Sequence, residues 1–410
     1  MKPHHQGTKN IYTDKNFYII VSITLISVMA VTSINPVLPN LAIAFKLSPQ
    51  QVGMAMTAFL LPQGLATPIL SILADRFGRK QILIPSLILF AIAGAIASFT
   101  NDFRTFLECR FLQGLGAASL ESLQLTLVGD LYMGKMLTSA MALNATMIGV
   151  SSTIFPLIGG GLGAISWRYP FLLSLLALPV VLLILTALKL PKQQTANKDF
   201  NTKQYIKNIW QCMNNRIVLG LLFVVAAIFI LEFGICYTYI PIYAATNLHA
   251  NSETIGIILS IESLALGVSC QLPVIAKKLS EKSIIQISFI LCTIGLGSIP
   301  FVNNIWLLLI PCILFGAGQG MATPMIQSML ARLSPEEYRA GFMAINITTQ
   351  SLGRAFGPVL AVISFGLWGM DGVFYASSIF SLVTLAIFCF VMTGKVDKNY
   401  SLKAREYAQL

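Results

Sequence analysis

The sequence predicts an all-α integral membrane protein, with twelve transmembrane helices arranged as two pseudo-symmetric six-helix bundles. Three observations predict it. Of 410 residues, 56% are apolar and only 10% are charged, against roughly 45–50% and about 25% in soluble domains. Twelve apolar runs have the length, about 20 residues, that a bilayer crossing needs. A shift of 202 residues lays one half of the chain on the other.

The runs, numbered here as spans 1 to 12, cover 17–39, 50–73, 81–99, 104–128, 137–162, 170–190, 217–243, 253–275, 284–302, 304–330, 341–366 and 371–393. No A-x-A-like site follows the first; Asn35, Pro36 and Pro39 do, so it reads as a span and not as a cleaved leader. Most connections are short. The exception, 191–216, is polar and basic. Residues 1–190 are therefore expected to form an N-terminal six-helix bundle. Residues 191–216 read as a cytoplasmic linker, and 217–410 as a C-terminal six-helix bundle with a cytoplasmic tail.

The net charge of +11 acquires meaning once it is placed by loop. With the N-terminus inside, 22 of the 27 Lys and Arg residues fall in inner segments, and only Lys46, Arg104 and Arg168 in outer loops. Cationic loops stay on the cytoplasmic side. Both termini are thus expected in the cytoplasm of a bacterial inner membrane protein, and no nucleic-acid partner is needed to explain the charge.

Other functional classes lose support residue by residue. Seven cysteines are present, none in C-x-x-C spacing, and His4, His5 and His249 all lie outside the runs. Neither a metal site nor a cofactor is expected. Without H-E-x-x-H, a Ser/His/Asp arrangement or G-x-x-x-x-G-K-[ST], a membrane enzyme and direct ATP drive are not supported.

The repeat is specific. At the 202-residue shift Pro39 meets Pro241, Gly114 and Gly116 meet Gly316 and Gly318, and Pro156 meets Pro358. Met141, Ala142, Asn144 and Thr146 meet Met343, Ala344, Asn346 and Thr348. Paired repeats of this kind build alternating-access transporters, with the substrate site where the halves meet.

Motifs sharpen the reading. The loop after span 2 is Leu73-Ala74-Asp75-Arg76-Phe77-Gly78-Arg79-Lys80. It resembles the signature of the major facilitator superfamily. Span 4 carries Arg110-Phe111-Leu112-Gln113-Gly114-Leu115-Gly116, similar to a second motif of that family. Span 5 carries Pro156, Gly159 and Gly160, similar to the motif of its drug:proton antiporters, with Phe155 where those have glycine. The repeat copy in span 11 is Gly357-Pro358. Trp167-Arg168-x-x-Phe171 resembles the family's W-R-x-x-F. The chain is similar to the twelve-span drug:proton branch, loosely to its bicyclomycin- and chloramphenicol-resistance members. The resemblance implies the major facilitator fold. It also implies a latch in which Asp75, with Arg76, Gly78, Arg79, Lys80 and Asp130 around it, reaches the start of span 11 near Gly341. It implies a proton-transfer role for Arg110, and a pliable interface hinge at Pro156, Gly159, Gly160, Gly357 and Pro358.

Acids inside spans are functional candidates by default. At the 202-residue shift Glu232 meets Ala30, Glu262 meets Leu60, Glu121 meets Thr323 and Arg354 meets Ser152, so the scaffold does not need these charges. Glu232, in span 7, is the first candidate for proton coupling. Helical spacing puts Cys236, Tyr239 and Tyr243 on its face, where an acid beside aromatic rings can hold a lipophilic cation. Glu121 lies eleven residues after Arg110, about 16 Å along the helix at 1.5 Å per residue. With Gln113 and Asn35, these residues are expected to line the cavity. Glu262 and Arg354 are expected to form a buried ion pair whose breakage accompanies gating.

The expected function is secondary active transport: proton-coupled efflux of small amphipathic or drug-like molecules by alternating access. The alternative is a facilitator or symporter of one metabolite on the same fold. Partners are expected to be a small-molecule substrate, the proton and the lipid bilayer, with the chain a monomer.

Overall fold

A computed structural model describes residues 11, 14–188, 190, 215–272, 279–334 and 339–393. Almost all of the segment 191–216 lies outside them. Among the described residues ten stretches are long and apolar enough to cross a bilayer. One of these, Ile345–Met392, has 48 residues, about twice the length one crossing requires. It belongs to a continuous run, Arg339–Thr393, broken at Gly369, whose φ of 70° a Cβ would strain.

The neighbours of its two limbs show that they run in opposite directions. Along span 7 (Arg216–Leu248), Ala226, Ile230 and Tyr239 meet Gly353, Gly357 and Phe365 in turn. Gly220, at its start, instead meets Val391, and Tyr243, near its end, meets Phe374. The limbs are spans 11 and 12. Span 4 (Phe103–Leu131) is a helix of 29 residues that fails the apolarity test. Glu108, Arg110, Glu121 and Gln124 are the cause, and Arg110 and Glu121 are the ones that matter below.

Helix starts follow ordinary capping chemistry. Ser48 and Gln51 form a capping box ahead of Pro49, and Asn251 accepts from the Thr254 N–H at 2.8 Å. Asp102 accepts from both the backbone N–H and the hydroxyl of Thr105 at 2.8 Å. Those bonds, the backbone one first, hold its carboxyl below the ordinary range. A lowered carboxyl contributes stability above its unfolded pKa and loses it as pH falls through the folded value. Amide exchange in the first turn of span 4, corrected for intrinsic rate, should therefore rise on strong acidification, and rise at neutral pH in Asp102→Ala.

The repeat is visible as repeated contacts. A Cβ on Gly116 would meet the Ser86 carbonyl at 2.8 Å, and one on Gly318 the Ser288 carbonyl at 2.5 Å. Both contacts are related by 202 residues. The expected 202-residue register is corrected after the ends of spans 1 and 7, where through spans 2 and 8 it becomes 203. The left-handed caps are Lys46 and His249, the N-caps Ser48 and Asn251, and the seam glycines Gly53 and Gly256. Helix Ile240–Leu248 has nine residues where Leu38–Phe45 has eight. Glu262 therefore answers to Phe59, not to Leu60.

The halves meet along two seams, spans 2 with 11 and spans 5 with 8. At the end remote from the 75–80 loop both are tight. A Cβ on Gly53 would meet Val362 at 2.6 Å, and one on Gly160 the Ser252 carbonyl at 2.6 Å. Nearer the 75–80 loop the seams differ. A Cβ on Gly64 would meet the Ser351 carbonyl at 2.7 Å. The repeat equivalents of that contact, Gly267 and Gly149, have open space within 4 Å. The cleft thus opens toward the 75–80 loop, and it opens between spans 5 and 8.

At that same end two ion pairs are related by the repeat. Arg79 Nε donates to Asp130 Oδ2 at 3.1 Å, and Arg332 pairs with Glu281. Positions 79 and 281, and 130 and 332, are related by 202 residues, so the second half keeps the bridge with its charges exchanged. Exposed pairs contribute about 0–1 kcal/mol. Reversing Glu281→Arg alone should lower the melting temperature slightly, and adding Arg332→Glu should restore it, as a thermal-shift series in detergent would read.

Candidate functional site

The polar groups of the interior fall into three layers. In the first, Arg110 of span 4 is 1% exposed. Its Nη1 donates to Gln113 Oε1 at 2.6 Å and its Nε to the Ala55 carbonyl at 3.5 Å. The guanidinium lies over the Phe59 ring at 4.2 Å and near that of Phe171 at 5.7 Å. Arg110 Nη2 and Gln113 Nε2 have no protein partner. Arg110 is therefore packed in the first bundle and does not snorkel to the membrane surface. Glycines make the room: Gly114 and Gly94 lie where a Cβ would strike the Phe59 carbonyl and the Gln113 amide.

The second layer lies nearer the tight end. Asn35 sits in a 3-10 turn, Asn35–Val37, where Pro36 interrupts span 1, and neither of its amide atoms has a protein partner. The turn packs against spans 5 and 8. Tyr239 is buried with its hydroxyl unpartnered and its ring 5.8 Å from Phe365. Groups buried without partners each cost about 1–3 kcal/mol.

In the third layer Glu121 of span 4 bonds Arg354 of span 11, across the boundary between the halves. The Arg354 guanidinium also lies over the rings of Phe229 at 4.8 Å and Phe233 at 5.3 Å, both on span 7. Glu232 begins a π-helical segment, Glu232–Tyr239, marked by Thr238 Oγ1 donating to the Phe233 carbonyl five residues back at 2.7 Å. Glu232 is partly exposed. It interacts with Arg354 and Glu121, and Tyr237 is its neighbour on the π turn.

Two expectations are corrected here. Glu262 does not pair with Arg354. Arg354 points across to Glu121, whereas Glu262 is fully buried inside the second bundle, its backbone carbonyl 2.5 Å from a Cβ placed on Gly316 and its Oε1 unpartnered. Nor do Cys236, Tyr239 and Tyr243 share a face with Glu232. The wider π turn brings residue i+5, Tyr237, to it instead. Cys236 turns toward Glu262, and the Tyr243 hydroxyl donates to the Ile299 carbonyl at 3.1 Å.

The hinge residues divide. Pro156 and Gly160 touch Gly256 of span 8 across the seam. Gly159 instead lies against Ser33 of span 1, and Gly357, beside Pro358, against Gly234 of span 7, each within its own bundle. Forcing extra atoms into such packing costs about 1–3 kcal/mol. Gly160→Val should drop transport more than about tenfold with expression retained, since it wedges a seam that must close.

At the loop end Asp75 is 62% exposed and bonded to Arg79, whose other partner is Asp130. Lys80 Nζ donates to the Leu188 carbonyl at 2.6 Å, and the Arg76 guanidinium lies 5.5 Å from the Phe77 ring. Gly78, at φ 111°, lets the chain turn between spans 2 and 3. The surroundings of the Gly341 side of the expected latch lie outside the described residues. Among the described residues no group of His, Cys, Asp and Glu is arranged to hold a metal.

Comparison with known proteins places this geometry. The family model of the Major Facilitator Superfamily matches residues 20–278 and 222–408. The chain is 26% identical over 367 residues to "Multidrug resistance protein 2" of Bacillus subtilis (strain 168), covering 86% of this chain and 89% of that protein. It is 24% identical over 401 residues to the "Bacillibactin exporter" of the same organism, covering 94% and 98%. Among solved structures it is similar to a bacterial homolog of the human lysosomal transporter Spinster in an inward-facing and occupied conformation. That match has a TM-score of 0.75, 12% identity, and covers 94% of this chain and 97% of that one. A D-xylose-proton symporter gives a TM-score of 0.66 at 16% identity, covering 90% and 96%.

Proposed function

The chain belongs to the Major Facilitator Superfamily, and from that premise we propose that it exports small amphipathic molecules in exchange for protons. One observation carries the reading. A single arginine, Arg354, serves two carboxylates, Glu121 from the first half and Glu232 from the second. Arg354 balances one negative charge. Glu232 therefore takes its balance from a proton or from a cationic substrate, and the two compete. Phe229, Phe233 and Tyr237 supply ring faces and a hydroxyl at the same place, a setting that favours a lipophilic cation.

With the 75–80 loop in the cytoplasm, together with both termini, the shape described above is inward-open. Substrate enters between spans 5 and 8 and displaces the proton from Glu232. The bundles at 1–190 and 217–410, joined by 191–216, then rock about the Gly53 and Gly160 contacts. A protein with buried polar groups at Asn35, Gln113 and Tyr239 also suits a neutral hydrogen-bonding metabolite, which favours a symporter or facilitator as the second reading. The chain works as a monomer in a lipid bilayer, binding substrate and proton and carrying no cofactor.

Proteoliposomes with an imposed pH gradient separate the readings. Cationic dyes should move against the proton flux and stop with a protonophore. Substrate and proton moving together would establish symport, and indifference of every substrate to the gradient would remove proton coupling.

A further inference from the structure

We infer that Glu262 is a second proton-holding site, joined in series to Glu232 through the hydroxyls of Tyr237 and Ser263. The inference rests on the reading of Glu232 as the coupling acid and adds a place where a further proton is kept. Glu262 is fully buried in span 8, and Oε1 has no partner. The Ser263 hydroxyl donates to Oε2 at 3.3 Å. Ser263 in turn neighbours the Tyr237 hydroxyl, and Tyr237 neighbours Glu232.

The groups facing Glu262 from the elements packed on it are Glu232, Cys236 and Tyr237 of span 7, Ser263 of span 8, Cys292 of span 9 and Cys312 of span 10. None is a cation. The Arg354 guanidinium is bonded to Glu121. An ionised carboxylate buried without a cation is costly, so a carboxyl here keeps its proton until a cationic substrate enters beside Glu232. The repeat shows that packing does not demand it. The equivalent position holds Phe59, beside Gly114 as Glu262 is beside Gly316.

The step is a relay. When Glu262 is ionised, the proton on Glu232 passes to the Tyr237 oxygen as the Tyr237 proton passes to Ser263 and the Ser263 proton to Glu262. One proton moves, both hydroxyls end as they began, and no electron is transferred. In reverse, Glu262 passes its proton to Glu232 after substrate has displaced the first proton to solvent.

The test counts protons. Ethidium, a monovalent cation, is added to the purified full chain in weakly buffered detergent with a pH-indicator dye. The wild type should release two protons per ethidium bound, Glu262→Gln one and Glu232→Gln none. In proteoliposomes, two protons against one cation make transport respond to membrane potential. Glu262→Gln should respond to the pH gradient alone. Two protons from a Glu262→Gln protein with unchanged melting temperature and ethidium affinity would overturn the inference. So would a wild type that releases one, which leaves the Glu232 reading standing. A wild type that releases none overturns both. Should Glu262→Gln fail to fold, Tyr237→Phe breaks the relay with both acids kept. Release of the second proton should slow by at least about tenfold, a barrier of about 1.4 kcal/mol, and an unchanged rate would overturn the inference.

Discussion

Glu232→Gln should abolish gradient-driven transport while leaving the protein folded and able to bind a cationic dye weakly. The amide keeps the volume and the place beside Tyr237 but can neither release a proton nor present a charge. Positioned proton-transfer groups contribute roughly 10²–10⁴-fold to rates, so efflux against a gradient should fall by at least about a hundredfold. Energetically downhill movement should survive, because the rocking seams do not include this residue. Dye efflux from loaded proteoliposomes, with and without a pH gradient, reads both quantities. A variant that still concentrates dye would place the coupling proton elsewhere. Glu232→Asp, with a shorter arm, should retain the coupling at a reduced rate, which a merely structural carboxyl would not do.

The legible and illegible parts of this molecule divide along physical lines. Span number and order follow from apolar length, which local composition sets. The polar helix Phe103–Leu131 shows why the count still needs the three-dimensional structure: its mid-helix charges, Arg110 and Glu121, face the interior, where a bilayer does not test them. The repeat was legible to within one residue, because a helix can lengthen from eight to nine residues without losing its caps. The site was legible as a set of residues but not as a set of pairs. Ion pairing depends on which face of a helix turns inward, and a π turn rotates that face in a way no periodicity of 3.6 reports. Glu262 and Arg354 were paired by neighbouring helices, yet span 8 turns its acid into the bundle and span 11 turns its arginine across the cleft. Tyr237 and Ser263 carried no signal beyond being polar. The exchanged bridge at Glu281 and Arg332 did carry one: opposite charges at both positions that match Arg79 and Asp130 under the shift.

Arg354→Ala should be the most damaging single change. It leaves Glu121 and Glu232 facing one another with no cation between them, and removes the cover over Phe229 and Phe233. Deleting one partner of a buried pair costs about 3–5 kcal/mol. The Arg354 side chain is 17% exposed and that of Glu121 19%, so the lower end of that range applies. Adding Glu121→Gln removes the stranded charge and should return most of the melting temperature but not transport. The reason lies in the motion. The Glu121–Arg354 bond spans the two bundles, on the side of the molecule where spans 5 and 8 stand apart at Gly149 and Gly267 and spans 2 and 11 stay joined at Gly64. Closing the open seam changes the separation of spans 4 and 11. On the proposed mechanism the bond then parts or slides, and the arginine it releases meets a Glu232 that has just lost its proton. Stability recovered without transport would show that the bond is needed for its exchange of partners. Full recovery of both in the double variant would show that Arg354 serves only to neutralise Glu121, and the coupling scheme would lose its arginine.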